Sequence, residues 1–95
     1  MTKWLQSGRR RDVCYLLAAA DDGLRGQQLK SQLESHYDDR IEPTAFYGSL
    51  SALVDGGFVE TRVDGIHDTY VLTAAGKRRV RDHYEWVSTC LEGNE

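Results

Sequence analysis

Several scarcities in this 95-residue chain exclude whole classes of protein before any motif is read. It holds a single proline and two cysteines, Cys14 and Cys90, with no CxxC pairing. A disulfide framework or a thiolate zinc site is therefore not expected, and each cysteine falls in a predicted helix beside apolar neighbours, as a reduced, packed thiol does. Redox sensing by one of the two stays open as the alternative. His36, His67 and His83 are scattered over three predicted elements without H-x₃-H spacing, so no metal is expected. There is no G-x-S-x-G, no phosphate-binding loop and no glycine-rich dinucleotide fingerprint, and no carboxylate or Cys/His pair stands out. We expect neither an enzyme nor a bound cofactor. No apolar run is long enough to span a bilayer, and the first twelve residues, MTKWLQSGRRRD, lack the apolar core of a secretion signal. The expected location is the cytoplasm, with no membrane partner.

What is present fits one folded domain covering 1–95: the chain is 40% apolar and 28% charged. Fifteen acids against twelve bases leave a net charge of −3, the reverse of the usual nucleic-acid-binding balance. Placement changes that picture. Acids gather at Asp21-Asp22, at Asp38-Asp39 and near the C-terminal end, whereas bases cluster at Arg9-Arg10-Arg11 and Lys77-Arg78-Arg79-Arg81, with Lys30, Arg40 and Arg62 between. A local basic face can sit on an acidic protein.

Apolar periodicity lays out the elements. Ser7 can cap a first helix to about Ala20, with Val13, Leu16, Leu17 and Ala20 on one face and Asp21-Asp22-Gly23 as the stop. Three arginines in its first turns oppose the helix dipole, which leaves phosphate contact and a solvated face as the two readings. A second helix from Arg25 or Gly26 to about Tyr37 turns Leu29 and Leu33 inward, and a third starts near Pro43, a residue tolerated in a first turn. On the third, Phe46, Leu50, Leu53 and Val54 make the apolar stripe, so Thr44, Gly48, Ser51 and Asp55 point away with Ala45 and Tyr47 on the flanks. That outward set is small, and a mid-helix glycine costs about 1 kcal/mol relative to alanine. Close approach of another helix or of a DNA groove would each account for it, and we expect the groove.

Gly56-Gly57 ends the helix, and two β-prone runs, Phe58–Val63 and His67–Leu72, flank an Asp64-Gly65 turn. Thr73 caps a last helix, 73–91, whose Val80, Tyr84, Val87 and Leu91 recur at helical spacing, with His83 and Cys90 widening the stripe and Trp86 beside it. So small a domain has little core to cover that stripe, and a second copy of the helix is its expected cover.

The fold class expected is α+β, mainly α: three helices and a two-stranded wing over 7–72, a winged helix-turn-helix, followed by a C-terminal dimerisation helix. The chain resembles a small PadR-type transcriptional regulator. The likeness is carried by Leu24-Arg25-Gly26, by Thr44-Ala45-Phe46-Tyr47-Gly48-Ser49-Leu50, by Gly57-Phe58-Val59 and by Tyr70-Val71-Leu72-Thr73-Ala74-Ala75-Gly76. It departs from the family at Gly48, where many members carry proline, and in its acidic balance. Nine arginines against three lysines, with surplus acid, also resemble proteins of salt-loving archaea.

The resemblance implies a homodimer that binds double-stranded DNA at a pseudo-palindromic operator, represses transcription and releases on an effector. Dimerisation would use Val80, His83, Tyr84, Val87, Cys90 and Leu91, with Trp4 from the N-terminal part. Thr44 and Ser51 would reach base edges or nearby phosphates and Gly48 would admit the groove. Tyr47 has two roles open, a phosphate contact through its hydroxyl or a purely packing ring. Gln28, Lys30 and Arg40 would touch backbone, Arg62 and His67 would flank the wing, and Arg9 and Arg10 would meet phosphate. The alternative is a winged-helix adaptor that binds protein instead. Small-molecule, ionic and redox signals are all open as effectors.

Overall fold

One-sided burial of three short helices against a small sheet sets the architecture. The structure, a computed structural model, describes residues 8–92. Its elements are α1 (Gly8–Ala18), β1 (Leu24–Arg25), α2 (Gly26–Tyr37), α3 (Pro43–Asp55), β2 (Val59–Asp64), β3 (His67–Leu72) and α4 (Ala74–Glu92). Ser7 and Trp4, expected as a helix cap and an interface residue, lie outside the described residues.

Val13, Cys14 and Leu17 from α1 meet Leu29 and Leu33 from α2, and Phe46, Leu50 and Leu53 from α3 close over them, with Val59 and Leu72 of the sheet beneath. Phe46, fully buried, is the largest of these side chains. Burial of such a side chain is worth about 1.5–3 kcal/mol. Cys14 is buried among them as expected, whereas Cys90 is exposed rather than packed.

The two-stranded wing, β2 and β3, is present as expected, and a short β1 that was not expected joins it in a three-stranded sheet of order β1-β3-β2. Leu24 and Arg25 pair antiparallel with Tyr70 and Thr69, tying the start of α2 to the wing. The turn register also differs from expectation: Asp64 pairs with His67, so the turn residues are Gly65 and Ile66. Gly65 takes φ 67°. Glycine in the first central position suits a hairpin turn whose twist matches the strands, and it leaves Ile66 at the tip, 93% exposed. The first helix stops two residues earlier than its apolar pattern suggested, at Ala18, because the amides of Ala19 and Ala20 bond back to Leu16 and Leu17 in a tightened last turn.

The N-terminus of α4 is bolted to the turn that follows α3. Thr73 Oγ1 donates to the Gly57 carbonyl at 2.6 Å and accepts from the Gly76 amide at 3.1 Å, while the Thr73 amide donates to the Phe58 carbonyl at 3.0 Å. Gly76 packs so closely that a Cβ there would stand 2.1 Å from the Phe58 carbonyl oxygen. Farther along, Tyr15 Oη and His83 Nδ1 lie 2.9 Å apart between α1 and α4.

Two substitutions test this junction by thermal or urea unfolding. Thr73→Ala removes both bonds of the hydroxyl, the cap on the Gly76 amide and the link to the Gly57 carbonyl, and should cost about 1–2 kcal/mol. Gly76→Ala forces backbone apart and should cost about 3 kcal/mol, the upper end of overpacking penalties; a smaller loss than that of Thr73→Ala would contradict the packing described.

Candidate nucleic-acid interface

The outward side of α3 is the most unusual surface of the molecule. Phe46, Leu50 and Leu53 are buried, so the opposite side is presented, and Thr44, Ala45, Gly48 and Ser51 are all exposed. At Gly48 no atom lies within 4 Å of where a Cβ would stand, so the glycine serves no contact inside the fold. The resulting face has no long side chain from Thr44 to Ser51 except Tyr47, which stands at its flank.

Tyr47 combines both expected roles in part. Its ring meets Phe46 edge-on, centroids 5.0 Å apart, and presses on α2, where a Cβ on Gly26 would come within 2.8 Å of the ring. Yet it remains 39% exposed. Packing thus holds the ring in place while part of it faces solvent over the first turn of α2.

Glu34 sets the angle at which α3 leaves α2. Its carboxylate Oε2 accepts from the Ile41 amide at 2.8 Å and from Lys30 Nζ at 2.9 Å, and its carbonyl accepts from the amides of Asp38 and Asp39. Asp38 takes φ 54°, the left-handed cap that turns the chain. The Ile41 amide, then the Lys30 ammonium, pull the Glu34 pKa below its ordinary value. Lys30, expected at phosphate, is instead engaged in this bond with its side chain 12% exposed.

The remaining expected contacts divide by location. Gln28 is exposed, and its Oε1 accepts from the Arg25 amide at 2.9 Å, which leaves its NH₂ as the free donor end. Arg40 is exposed just ahead of α3, and His67 is exposed beside the wing turn. Arg62 is not on the α3 side of the wing. Strand alternation puts Thr61 there, lining a slot with Ser51, Val54 and Asp55, while Arg62 faces α1 and α4 and donates to Glu60 at 2.8 and 3.0 Å. Arg9 and Arg10 are half-buried at the start of α1; Arg9 acts on Tyr37, at the opposite end of α2 from Tyr47. Burial, then the bond to Asp12, pushes the Tyr37 hydroxyl up to about 12. The structure therefore gathers Thr44, Tyr47, Gly48 and Ser51 on α3, engages Lys30 with Glu34, and places Arg62 and Arg9 elsewhere.

The expected dimer stripe on α4 is also divided. Val80 packs against the chain's own core, and His83 is half-buried against Tyr15. Burial, then the charge of Arg11, lowers the His83 pKa. Past them the helix is uncovered: Tyr84 is 61% exposed, Trp86 64% and Leu91 80%, with Val87 half-buried and Cys90 exposed. Ile66 and Val63 of the wing were not singled out from sequence; the turn register alone would have put Ile66 at the tip.

No family model and no curated protein matches the chain. Solved structures do. RosR of H. salinarum is similar over 94% of this chain and 80% of its own, with TM-score 0.85 and 24% identity. The homodimeric winged helix-turn-helix DNA-binding domain of a possible ArsR-family regulator from Mycobacterium bovis is similar over 98% of this chain and 80% of its own, with TM-score 0.74 and 24% identity. The winged-helix DNA-binding protein from STIV follows at TM-score 0.75 and 15% identity, over 90% of this chain and 92% of its own. The fold is the winged helix.

Two measurements test the geometry of this face. Gly48→Ala meets open space and relieves a mid-helix glycine, so it should raise stability by about 1 kcal/mol; destabilisation would mean the position is packed. For Glu34 the folded-state pKa is depressed, so its contribution is present above the ordinary carboxylate value and is lost as pH falls through the folded one. The stability difference between wild type and Glu34→Gln should accordingly shrink as unfolding is followed from neutral pH to below about pH 4; a difference that is flat with pH would contradict the assignment.

Proposed function

We propose that this chain is a sequence-specific DNA-binding transcriptional regulator, a cytoplasmic homodimer of the PadR-like type that represses from a pseudo-palindromic operator. The observation that carries the reading is the bare outward side of α3, where a Cβ on Gly48 would meet no other part of the fold within 4 Å, next to a β-hairpin. A helix side cleared of long side chains lets backbone approach the floor of a major groove, whereas an ordinary solvated helix carries Lys, Glu and Arg there. The descriptions of the STIV and M. bovis proteins as DNA-binding winged helices add support.

In this reading Thr44 and Ser51 hydrogen-bond base edges or adjacent phosphates, and Tyr47, held by Phe46 and Gly26, directs its hydroxyl to a phosphate. The amide of Gln28 and the guanidinium of Arg40 contact backbone and fix register. His67 and the turn residues approach the adjoining minor groove. Dimerisation covers Tyr84, Trp86, Val87 and Leu91, whose exposure on one helix is large for so small a domain. Two-fold symmetry then sets half-sites roughly 34 Å apart. The effector that would release the complex is a small molecule, an ion or an oxidant.

The net charge of −3 favours a second reading, an adaptor in which the same face of α3 seats another protein. Fluorescence titration against promoter fragments from the neighbourhood of its own gene separates the two, and absence of binding to all of them by folded protein at native salt would transfer the assignment to the adaptor.

For the regulator, Thr44→Ala and Ser51→Ala should each cost about 1–3 kcal/mol on the operator and much less on random DNA, while Arg40→Ala weakens both and flattens the salt dependence. Gly48→Leu should abolish operator binding with the fold intact. Equal losses on both DNAs for Thr44→Ala and Ser51→Ala would reject base reading.

A further inference from the structure

A groove away from α3, between the end of α1, the inner face of the wing and the first half of α4, measures about 640 Å³. Its lining is two-toned. Leu17, Leu72 and Val80 supply an apolar floor, and Tyr15 and Tyr84 stand on its α1 and α4 sides. Three cations, Arg62, Lys77 and Arg81, also line it, against a single lining carboxylate, Asp21.

This charge balance runs opposite to that of the whole chain, whose net charge is −3. Arg62 is partly neutralised by Glu60, but Lys77 and Arg81, one turn apart on α4, are exposed. Lys77 lies close to the N-terminus of its helix, and that helix has no acid in its first turn. A cation there works against the helix dipole, so helix stability does not explain it. Apolar floor and paired cations at one rim, in a groove within the size range of small-ligand sites, are complementary to one kind of molecule.

We propose that this groove binds an amphipathic carboxylate: a medium-length acyl or similarly apolar chain against Leu17, Leu72 and Val80, its carboxylate held by Lys77 and Arg81. The site stands on the groove alone. Its regulatory consequence rests on the DNA-binding reading, because an occupant touching α1, the wing and α4 together would set the wing's position relative to the dimerisation helix.

Decanoate, kept below its micelle-forming concentration, is the probe, with decanol and acetate as single-feature controls. Calorimetry and amide chemical-shift mapping on the full chain should report saturable binding of decanoate with shifts centred on Leu17, Leu72 and Val80. Decanol and acetate should each bind more weakly by on the order of tenfold, and so should decanoate to a Lys77→Ala/Arg81→Ala double variant, as loss of charge-assisted contacts requires. Both positions are exposed, so the variant should fold as the wild type does. Equal binding of decanol overturns the carboxylate assignment. Shifts confined to Trp86–Leu91 overturn the groove. Amides of Leu17 and Leu72 that move when ligand-free protein is diluted would assign the surface to a second copy of the chain, which also overturns the proposal. Titration with promoter DNA comes last: failure of the protein to bind any DNA sinks the regulator reading and leaves the decanoate result standing, whereas DNA affinity indifferent to decanoate removes only the regulatory consequence.

Discussion

The bare face of α3 depends on the burial of the stripe opposite it. Phe46, Leu50 and Leu53 are at most 1% exposed, and a helix that commits three such side chains to a core has no freedom to roll. Its other side is then presented by default. Glu34 adds the second constraint by binding the amide of Ile41, itself buried, so that the turn from α2 is held from both the polar and the apolar side. The dry contact fixes rotation about the helix axis, and the charged one fixes the angle of entry.

The same economy explains why charge is spent where it is. Lys30 and Arg62, two of the cations most suggestive from the sequence, are paired with Glu34 and Glu60 inside the chain. What remains toward the bare face is mostly neutral: hydroxyls, a glycine and an amide. In the DNA-binding reading proposed above, recognition built on such groups would depend less on counterion release than a basic surface does.

Much of this was legible in the residues. The limits of α2 and α3 follow from Leu29-Leu33 periodicity, from Pro43 as a first-turn residue and from Gly56-Gly57 as a stop, and the structure keeps them. The outward set of α3 followed from rotation alone. β1 was not legible, because two residues carry no periodicity and their pairing partners, Tyr70 and Thr69, are remote in sequence. Asp-Gly in a hairpin usually marks the central pair of the turn, whereas here Gly65 leads the turn and Asp64 still belongs to the strand, a shift of one residue. Lys30–Glu34 and Glu60–Arg62 could have been found, since four residues on a helix and two on a strand share a face. The Tyr15–His83 contact could not, lying 68 positions apart.

With β3 in the middle of the sheet, its two flanks are unequal. One is closed by only two residues of β1, the other by the six of β2, whose own outer margin has no neighbouring strand among the described residues. A free margin of that kind invites a stranger's backbone to join the sheet, and proteins discourage it with charged side chains. Glu60 and Arg62 alternate along β2 and bind each other, keeping that margin wet. The hairpin can therefore protrude from a small protein without becoming a seed for cross-chain sheets.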